Sequence, residues 1–513
     1  MKVCFFLQRR FAYFGHAMAK LLKDKYGVNE FCGYVSLRPG YDFLNSQKDI
    51  KYSKLLLEED VYAGYKEEEI DKDYLNYLER EYGVPNLWPY IDMDRVLRYN
   101  LLVRDYPSDK SKYSHEDMLK ILQVTSKKII SFLEEEKPDF LFFSVVSNLS
   151  SMLLYYVARK MGIKTLILYC PRLGNKYIIS EDYEEFKSLE RIFQDLEKRI
   201  GLVEEKKRKA LEFARNYLKD FQKEPTYYLD GSGAAFEFVA TPVRRSDFFK
   251  FLLPTKLCRS IKWLFQSHWN YLVSLHKNDY SNIKPWVELW DKIKRKTRVV
   301  VGYRDFYDIP RVEGEDYAFF PLHSEPEAEL AFRASWYMDQ VWLIKQIARS
   351  LPVQYKLYVK DHPRMVGKRK RSYYREIKKI PNVKLIPPGV SSLSLISNSQ
   401  LVLTIAGTAG FEGLLLKKPV IVFADLFYNI LSGVRKCRSI PKLAKIIKEH
   451  LEMYEYNEEE VVNFIAAIYR ESVDVDIIQL WAIKGGLSVL DQEKSKIIPL
   501  VDLIAKKLKL NLV

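Results

Sequence analysis

Along the 513 residues, short apolar runs alternate with stretches of helical spacing, the rhythm of a doubly wound α/β chain. Lys2 to Leu7 reads as a buried first strand, followed by a loop and a helix over about Tyr13 to Tyr26. Lys51 to Glu81, rich in Glu, Lys and Tyr, reads as solvated helices. Phe140 to Val146 is a second buried strand. The serines and Asn148 that follow make the stretch to Ala158 strand, polar turn and helix rather than the ~20 predominantly apolar residues of a spanning segment. Thr165 to Tyr169 is the next strand, and it runs into a loop through Arg172, Asn175 and Lys176. From Ser180 the strand signal fades, and Glu181 to Lys223 is charged and helical. Phe248 to Leu272 interleaves Lys and Arg with Trp, Phe and Leu, a pattern equally suited to an interfacial helix and to packing within a helical insertion. Strands return with Arg298 to Gly302 or with Tyr317 to Leu322, then a long helix over about Glu327 to Ser350 and strands at Gln354–Val359, Leu401–Thr404 and Lys418–Phe423. Helices follow Pro441, with Leu500 to Leu508 amphipathic. The expected division is a Rossmann-like domain over 1–180, a helical basic and aromatic region over 181–295, a second Rossmann-like domain over 296–440, and terminal helices over 441–513.

The densest chemistry lies between Gln354 and Tyr428. Gly407, Thr408, Ala409 and Gly410 form a turn of small residues that must enter a helix, whose first N–H groups can seat a phosphate. Thr404 and Thr408 add hydroxyls, and Glu412 can accept hydrogen bonds from a ribose diol. The plain alternative is close packing of a helix on a strand, with Glu412 favouring the positive helix end. The turn is neither a Walker loop nor GxGxxG. Lys360-Asp361-His362-Pro363 follows a strand, and a histidine held there by proline can donate to a phosphate or to the oxygen leaving with it.

His362-Pro363, then Thr404-x-x-Gly407-Thr408-x-Gly410-Phe411-Glu412-x-Leu414, then Lys418-Pro419-Val420, with Phe427 and Tyr428 behind, resembles the capsule polysaccharide biosynthesis glycosyltransferases. These include bacterial Kdo transferases and related surface-carbohydrate transferases of the GT-B fold. Phe319 to Glu327 resembles that family's Gln-Pro-Glu element, with Glu325 standing where the glutamine is expected. The resemblance covers roughly 295 to 435. It implies two Rossmann-like domains facing a cleft, no metal or other cofactor, and a nucleotide-sugar donor on the second domain, CMP-Kdo being the first guess. The implied acceptor is a growing surface or capsular polysaccharide or a glycolipid. His362, Glu327 and Glu325 are then the catalytic candidates. Lys360, Pro363, Thr404, Gly407, Thr408, Gly410 and Glu412 would hold the nucleotide and its phosphate.

Acceptor-side candidates follow from the ligand ends of the first domain's strands: Arg9, Arg10 and His16, then Arg172 and Asn175, each with an ordinary loop role as the alternative. Asp92-Met-Asp94 has the look of a metal-binding Asp-x-Asp, yet a helix cap is the stronger reading, with Asp94 kept as an acceptor-side carboxylate.

Composition narrows the partners. The net charge of +15 suits anionic lipid, polyanionic glycan or nucleotide phosphate, or only a solvated basic surface. Nucleic acid is disfavoured, because no zinc-finger spacing, RNP sequence or basic zipper appears. Five scattered cysteines make no disulfide framework and no CxxC site, which points to a reducing cytoplasm, with peripheral attachment at the inner membrane face as an expectation. The alternatives to glycosyl transfer are CDP-polyol phosphotransfer or sugar-nucleotide epimerisation on the same fold, and a non-catalytic carbohydrate-binding scaffold.

Overall fold

The computed structural model describes residues 1–83, 86–99, 111, 113–198, 204–225, 254–273, 284–309, 314–325, 327–477, 480 and 494–512. Phe248 to Leu253 of the basic aromatic stretch, and Pro326, lie outside the described residues.

The first sheet contains β1 (Lys2–Leu7), β2 (Glu30–Val35), β3 (Tyr52–Leu57), β4 (Phe140–Phe143), β5 (Lys164–Tyr169) and β6 (Lys176–Ser180). Its order is β3-β2-β1-β4-β5-β6, parallel as far as β5 and antiparallel at β6. The central strands are continuous apolar runs because helices cover both faces. Every residue of Phe140–Phe143 is buried, as are Val3 to Leu7. β3 lies in the charged region expected to be helical. Its strand forms because Leu55 and Leu57 pair beside Gly33 and Val35 at the sheet edge, where half-exposed polar residues are tolerated.

The second sheet contains β7 (Tyr317–Pro321), β8 (Lys356–Lys360), β9 (Val383–Ile386), β10 (Leu401–Thr404), β11 (Val420–Val422) and β12 (Val434–Lys436). Its order, β12-β11-β10-β7-β8-β9, is parallel throughout. In both sheets the first strand sits at the centre and the winding reverses beside it, at β1/β4 and at β7/β10. Such switch points leave a crevice beyond the carboxyl ends of the strands. Two doubly wound sheets with this order make the chain GT-B-like in architecture.

Two expected elements differ. Arg298 to Val301 is not a strand but the end of helix Pro285–Val301, which Gly302 closes with a left-handed φ of 76°. The long helix over Glu327 to Ser350 is broken into Ala328–Arg333, a single tight turn at Ser335–Tyr337, and Gln340–Ser350, which the Asp339 carboxylate restarts by accepting from Trp342 N–H at 2.9 Å.

The halves are knitted by chain crossings. Helices Lys187–Glu197 and Glu204–Lys223 pack Phe193, Leu196, Ala214 and Leu218 into the second domain's core. Helix Glu458–Glu471 joins that core through Phe464. The chain then returns: β13 (Val473–Asp474) pairs antiparallel with β6, and helix Lys494–Leu508 buries Ile497, Leu500, Val501 and Ile504 against the first domain. Asp502 accepts there from Lys25 at 2.6 Å and from Tyr26 at 2.7 Å. Among the described residues no helix is long and apolar enough to cross a membrane.

Candidate active site between the two sheets

The second domain's crevice is organised by a buried cation. Arg369 has no exposed surface, and its guanidinium donates to Glu325 Oε2 at 2.7 and 3.0 Å, to Asp361 Oδ1 at 2.8 Å and to the His323 carbonyl at 2.6 Å. Tyr307 and Tyr374 donate their hydroxyls to Asp361 Oδ2 at 2.8 and 2.9 Å. This network clamps the end of β7 to the end of β8. It also changes the place of one expected catalytic carboxylate: Glu325 is 2% exposed and committed to Arg369, so it supports the site from beneath instead of sharing the cleft.

Asp361 carries the clamp into the site. Its Oδ1 accepts from the His362 N–H at 2.8 Å, and Pro363 starts a tight turn in which His362 Nδ1 accepts from the Arg364 N–H at 3.1 Å. An accepting Nδ1 leaves the proton of a neutral ring on Nε2. Burial, with the charges of Arg369, Lys360 and Arg364 and the ring of His323 nearby, pushes the His362 imidazole down to about 3. At neutral pH it is therefore an uncharged Nε2–H donor and not a proton acceptor.

A second histidine, not singled out from the sequence, stands beside it. β7 and β8 pair Pro321 with Lys360, and two residues further along each strand come His323 and His362. His323 is buried, lies 3.4 Å through Nε2 from Thr404 Oγ1, and is pushed down to about 4 by burial and by Arg369. Gln340 holds it by accepting from its backbone N–H at 2.8 Å. The signal was present as two histidines at equivalent distances past two apolar runs, and only the register aligned them.

The small-residue turn closes the crevice. Thr404 Oγ1 accepts from the Gly407 N–H at 3.1 Å, and Tyr428 donates to the Gly407 carbonyl at 2.7 Å. A Cβ on Gly407 would come within 2.6 Å of Thr404 Oγ1 and 3.1 Å of the His323 ring; one on Gly410 would meet the Tyr428 hydroxyl at 2.4 Å. Close packing thus accounts for Gly410, while Gly407 also keeps the histidine side open. Thr408 donates to Glu412 Oε1 at 3.2 Å. Burial raises the Glu412 carboxyl to about 7, against the pull of Thr408, Arg172 and Lys360. Burial lowers the Lys360 ammonium to about 8, against Asp361 and Glu412. The crevice therefore holds an acid and a base that both titrate near neutrality, next to two neutral imidazoles.

The first domain contributes to the same cleft. Tyr169 at the end of β5 packs its ring 5.7 Å from Phe427, and Tyr183 meets Phe332 at 3.8 Å, so the domains touch through aromatic edges. Arg172, in the loop just after β5 and with a left-handed φ of 59°, is in electrostatic range of both Glu327 and Glu412. Glu327 is half-buried and opens helix Ala328–Arg333.

The remaining acceptor-side candidates separate. Arg9 and Asp94 line a crevice at the β1/β4 switch point, together with Gln8, Glu58, Arg95, Thr125 and Asn148. Asp94 does serve as a helix cap: Oδ1 accepts from the Val96 and Leu97 N–H groups at 2.8 and 3.1 Å, and Oδ2 from the Leu149 N–H at 3.0 Å. Burial raises its carboxyl, partly offset by those N–H groups. Arg10 is exposed beside the crevice. His16 cannot hold an acceptor, because it is wholly buried, with Nδ1 3.2 Å from the Tyr52 hydroxyl and Nε2 3.2 Å from Asp49. Helix Phe11–Tyr26 turns it under the sheet edge. Asn175 gives its carbonyl to Val475 at the β13 edge.

Two facing doubly wound domains with a polar crevice at each switch point define a GT-B-like protein. Residues 335–453, the segment bearing His362 and the small-residue turn, match the family model described as capsule polysaccharide biosynthesis protein. Protein FixF of Sinorhizobium fredii is 32% identical over 117 residues, which are 22% of this chain and 28% of FixF. Among solved structures, the β-Kdo 2,7 transferase of Thermosulfurimonas dismutans KpsC is 11% identical, covering 66% of this chain and 79% of that one with a TM-score of 0.34. The UDP-GlcNAc 2-epimerase of Methanocaldococcus jannaschii is 15% identical, covering 89% and 94% with a TM-score of 0.24.

Proposed function

We propose that the protein is a metal-independent glycosyltransferase that moves a sugar from a nucleotide sugar, CMP-Kdo being the first candidate, to a growing surface or capsular polysaccharide or glycolipid at the inner face of the membrane. The observation that carries this reading is the neutral His362, its Nε2–H free of the turn contact, beside Lys360, His323 and the Thr404–Thr408 turn. In such a transfer the acceptor hydroxyl's oxygen bonds to the anomeric carbon as the bond from that carbon to the nucleotide's phosphate oxygen breaks, and the hydroxyl proton passes to solvent. The electron pair leaves with the phosphate. A donor preset at that oxygen lowers the barrier because it need not reorganise. His362 supplies that hydrogen bond, Lys360 and Thr408 hold the phosphate, and Glu412 accepts from the ribose. Glu327, with Arg172 opposite, serves the sugar side. The first domain's crevice, bearing Asp94, Glu58 and several hydroxyl and amide groups, takes the acceptor.

The test is a thermal-shift screen against CMP, CDP, UDP, GDP and their sugar conjugates. A nucleotide at about 100 times its Kd adds about 2.7 kcal/mol to the native state. Stabilisation by one base, lost in His362→Ala and Glu412→Ala, supports the reading and names the donor. Absence of stabilisation by any of them removes it. Sugar release or polyol-phosphate transfer from the binding donor distinguishes glycosyl transfer from the related reactions.

A further inference from the structure

Helices Pro254–Val273 and Pro285–Val301 form a pair whose apolar side faces solvent. Among its described residues, helix Pro254–Val273 has no buried position at all. Leu257, Ile261, Phe265, Trp269 and Leu272 recur every three or four residues, which puts them on one face, and Phe265 and Trp269 are 73% and 68% exposed. Helix Pro285–Val301 repeats the pattern with Trp286, Trp290 and Ile293, Trp290 being 61% exposed. The two helices hold each other through Lys292, whose Nζ lies 3.5 Å from the Trp263 ring centre, and through the half-exposed Trp286, which packs against Tyr271 at 5.6 Å. Among the described residues nothing covers this apolar face, and an exposed apolar patch of this kind marks an interaction surface.

Charge identifies that surface. Helix Pro254–Val273 contains no Asp or Glu, and Lys262 borders its apolar face while Arg259 lies on the other side. Helix Pro285–Val301 carries five Lys or Arg against two acidic residues. Two copies of so basic a face would repel one another. Tryptophan, leucine and phenylalanine on one side with Lys and Arg around them is the composition of a helix lying in the headgroup layer of an anionic membrane. We propose that this helical pair docks the protein onto an anionic bilayer. The proposal deepens the transferase reading, from which it takes an acceptor at the membrane. The base of the pair also meets the active-site loop. Arg298 donates to the Lys368 carbonyl at 2.9 Å and Arg371 to the Gly302 carbonyl at 2.5 Å, while Gly367, at a φ of 78°, lies so close that a Cβ there would meet Val299 at 2.8 Å. The docked face is therefore joined through these contacts to the loop that follows His362.

The test is co-sedimentation of the full chain with vesicles of phosphatidylcholine alone or mixed with phosphatidylglycerol, at low and high salt. Binding to the mixed vesicles is expected to exceed binding to the neutral ones by about tenfold or more and to weaken with salt. Phe265→Glu with Trp269→Glu, and separately Trp290→Glu, should abolish it. These side chains are exposed, so circular dichroism and stabilisation by the donor nucleotide should stay unchanged. Loss of nucleotide binding with vesicle binding intact would strike the transferase reading alone. Absence of wild-type binding to anionic vesicles overturns the docking proposal. So does equal binding by the variants, which would put the contact elsewhere, or a concentration-dependent dimer that the variants dissociate in the absence of vesicle binding, which would make a second copy the cover.

Discussion

The two sheets share a winding order and end in different chemistry. At the first domain's switch point, a crevice is walled by Asp94 and Glu58 with Arg9, Arg95 and polar side chains between. At the second domain's, two neutral histidines, a lysine and a turn of small residues come together, all set on a buried arginine with two carboxylates. Topology decides where a ligand crevice opens, and the residues just past the strand ends decide what it accepts. A crevice that mixes carboxylates, arginines, hydroxyls and amides offers donors and acceptors to a hydroxyl-rich ligand, whereas one with N–H and ammonium donors suits a phosphate.

The comparison breaks most visibly at the clamp. Arg369→Met leaves Glu325 and Asp361 buried without their cation, and denaturant unfolding should show a loss of about 3–5 kcal/mol. In the first crevice the buried Asp94 carboxylate accepts from three backbone N–H groups rather than from a buried arginine. There, Asp94→Ala should cost only the loss of a cap, about 0.5–2 kcal/mol in the same measurement. If Asp94→Ala proves as destabilising as Arg369→Met, the two crevices are held by equal means and the contrast fails.

Catalysis sharpens the contrast next. His362→Ala should lower kcat by a factor corresponding to about 2.7–4 kcal/mol of barrier, with the melting temperature kept, as for loss of a preset donor to a developing oxyanion. The same histidines make stability depend on pH. Both ring pKa values are depressed, to about 3 and about 4, so the unfolded chain binds more protons below about 6.5 and stability falls as the pH drops from there. Glu412, raised to about 7, works the other way, losing stability as the pH rises from about 4.5 through 7. With two groups against one, the net acid destabilisation should be blunted in His323→Gln/His362→Gln. An unchanged acid limb in that double variant would mean that the imidazoles are not held neutral.

Lys360 gives a smaller, binding-linked signal. A phosphate raises an ammonium held at about 8, so nucleotide binding should take up protons near that pH and weaken as the pH climbs through it. Calorimetry in buffers of different ionisation heat measures the uptake, and Lys360→Met should remove it. The smallest effect is expected in the first domain. Thr125 Oγ1 is buried at the crevice without a hydrogen-bond partner among the described residues, so Thr125→Val should leave stability unchanged or raise it by up to about 1 kcal/mol. An accompanying rise in acceptor KM, with kcat kept, would mark this hydroxyl as an acceptor contact.

Much of the second crevice was legible along the chain, because its parts are local. A proline after His362, small residues between Thr404 and Gly410, and apolar runs ahead of each are properties of neighbours in sequence. Where the reading missed, the deciding partner lay far away. Glu325 looked like a free acid until Arg369 filled its pocket, 44 residues on. His323 gained meaning only when the β7/β8 register set it beside His362. His16 looked like a loop residue at a strand end, but helix Phe11–Tyr26 turned it under Tyr52 and Asp49.

The sequence by itself determined the alternation of buried strands and helices, the small-residue turn, the histidine ahead of proline, and the basic aromatic stretch, because each rests on side-chain chemistry within a few residues. Only the tertiary structure decided which strands lie side by side, which carboxylates are spent on a buried cation, and which apolar helix face is left uncovered among the described residues. Those outcomes depend on parallel strand pairing and burial between segments dozens to hundreds of residues apart, whose energies no local pattern records.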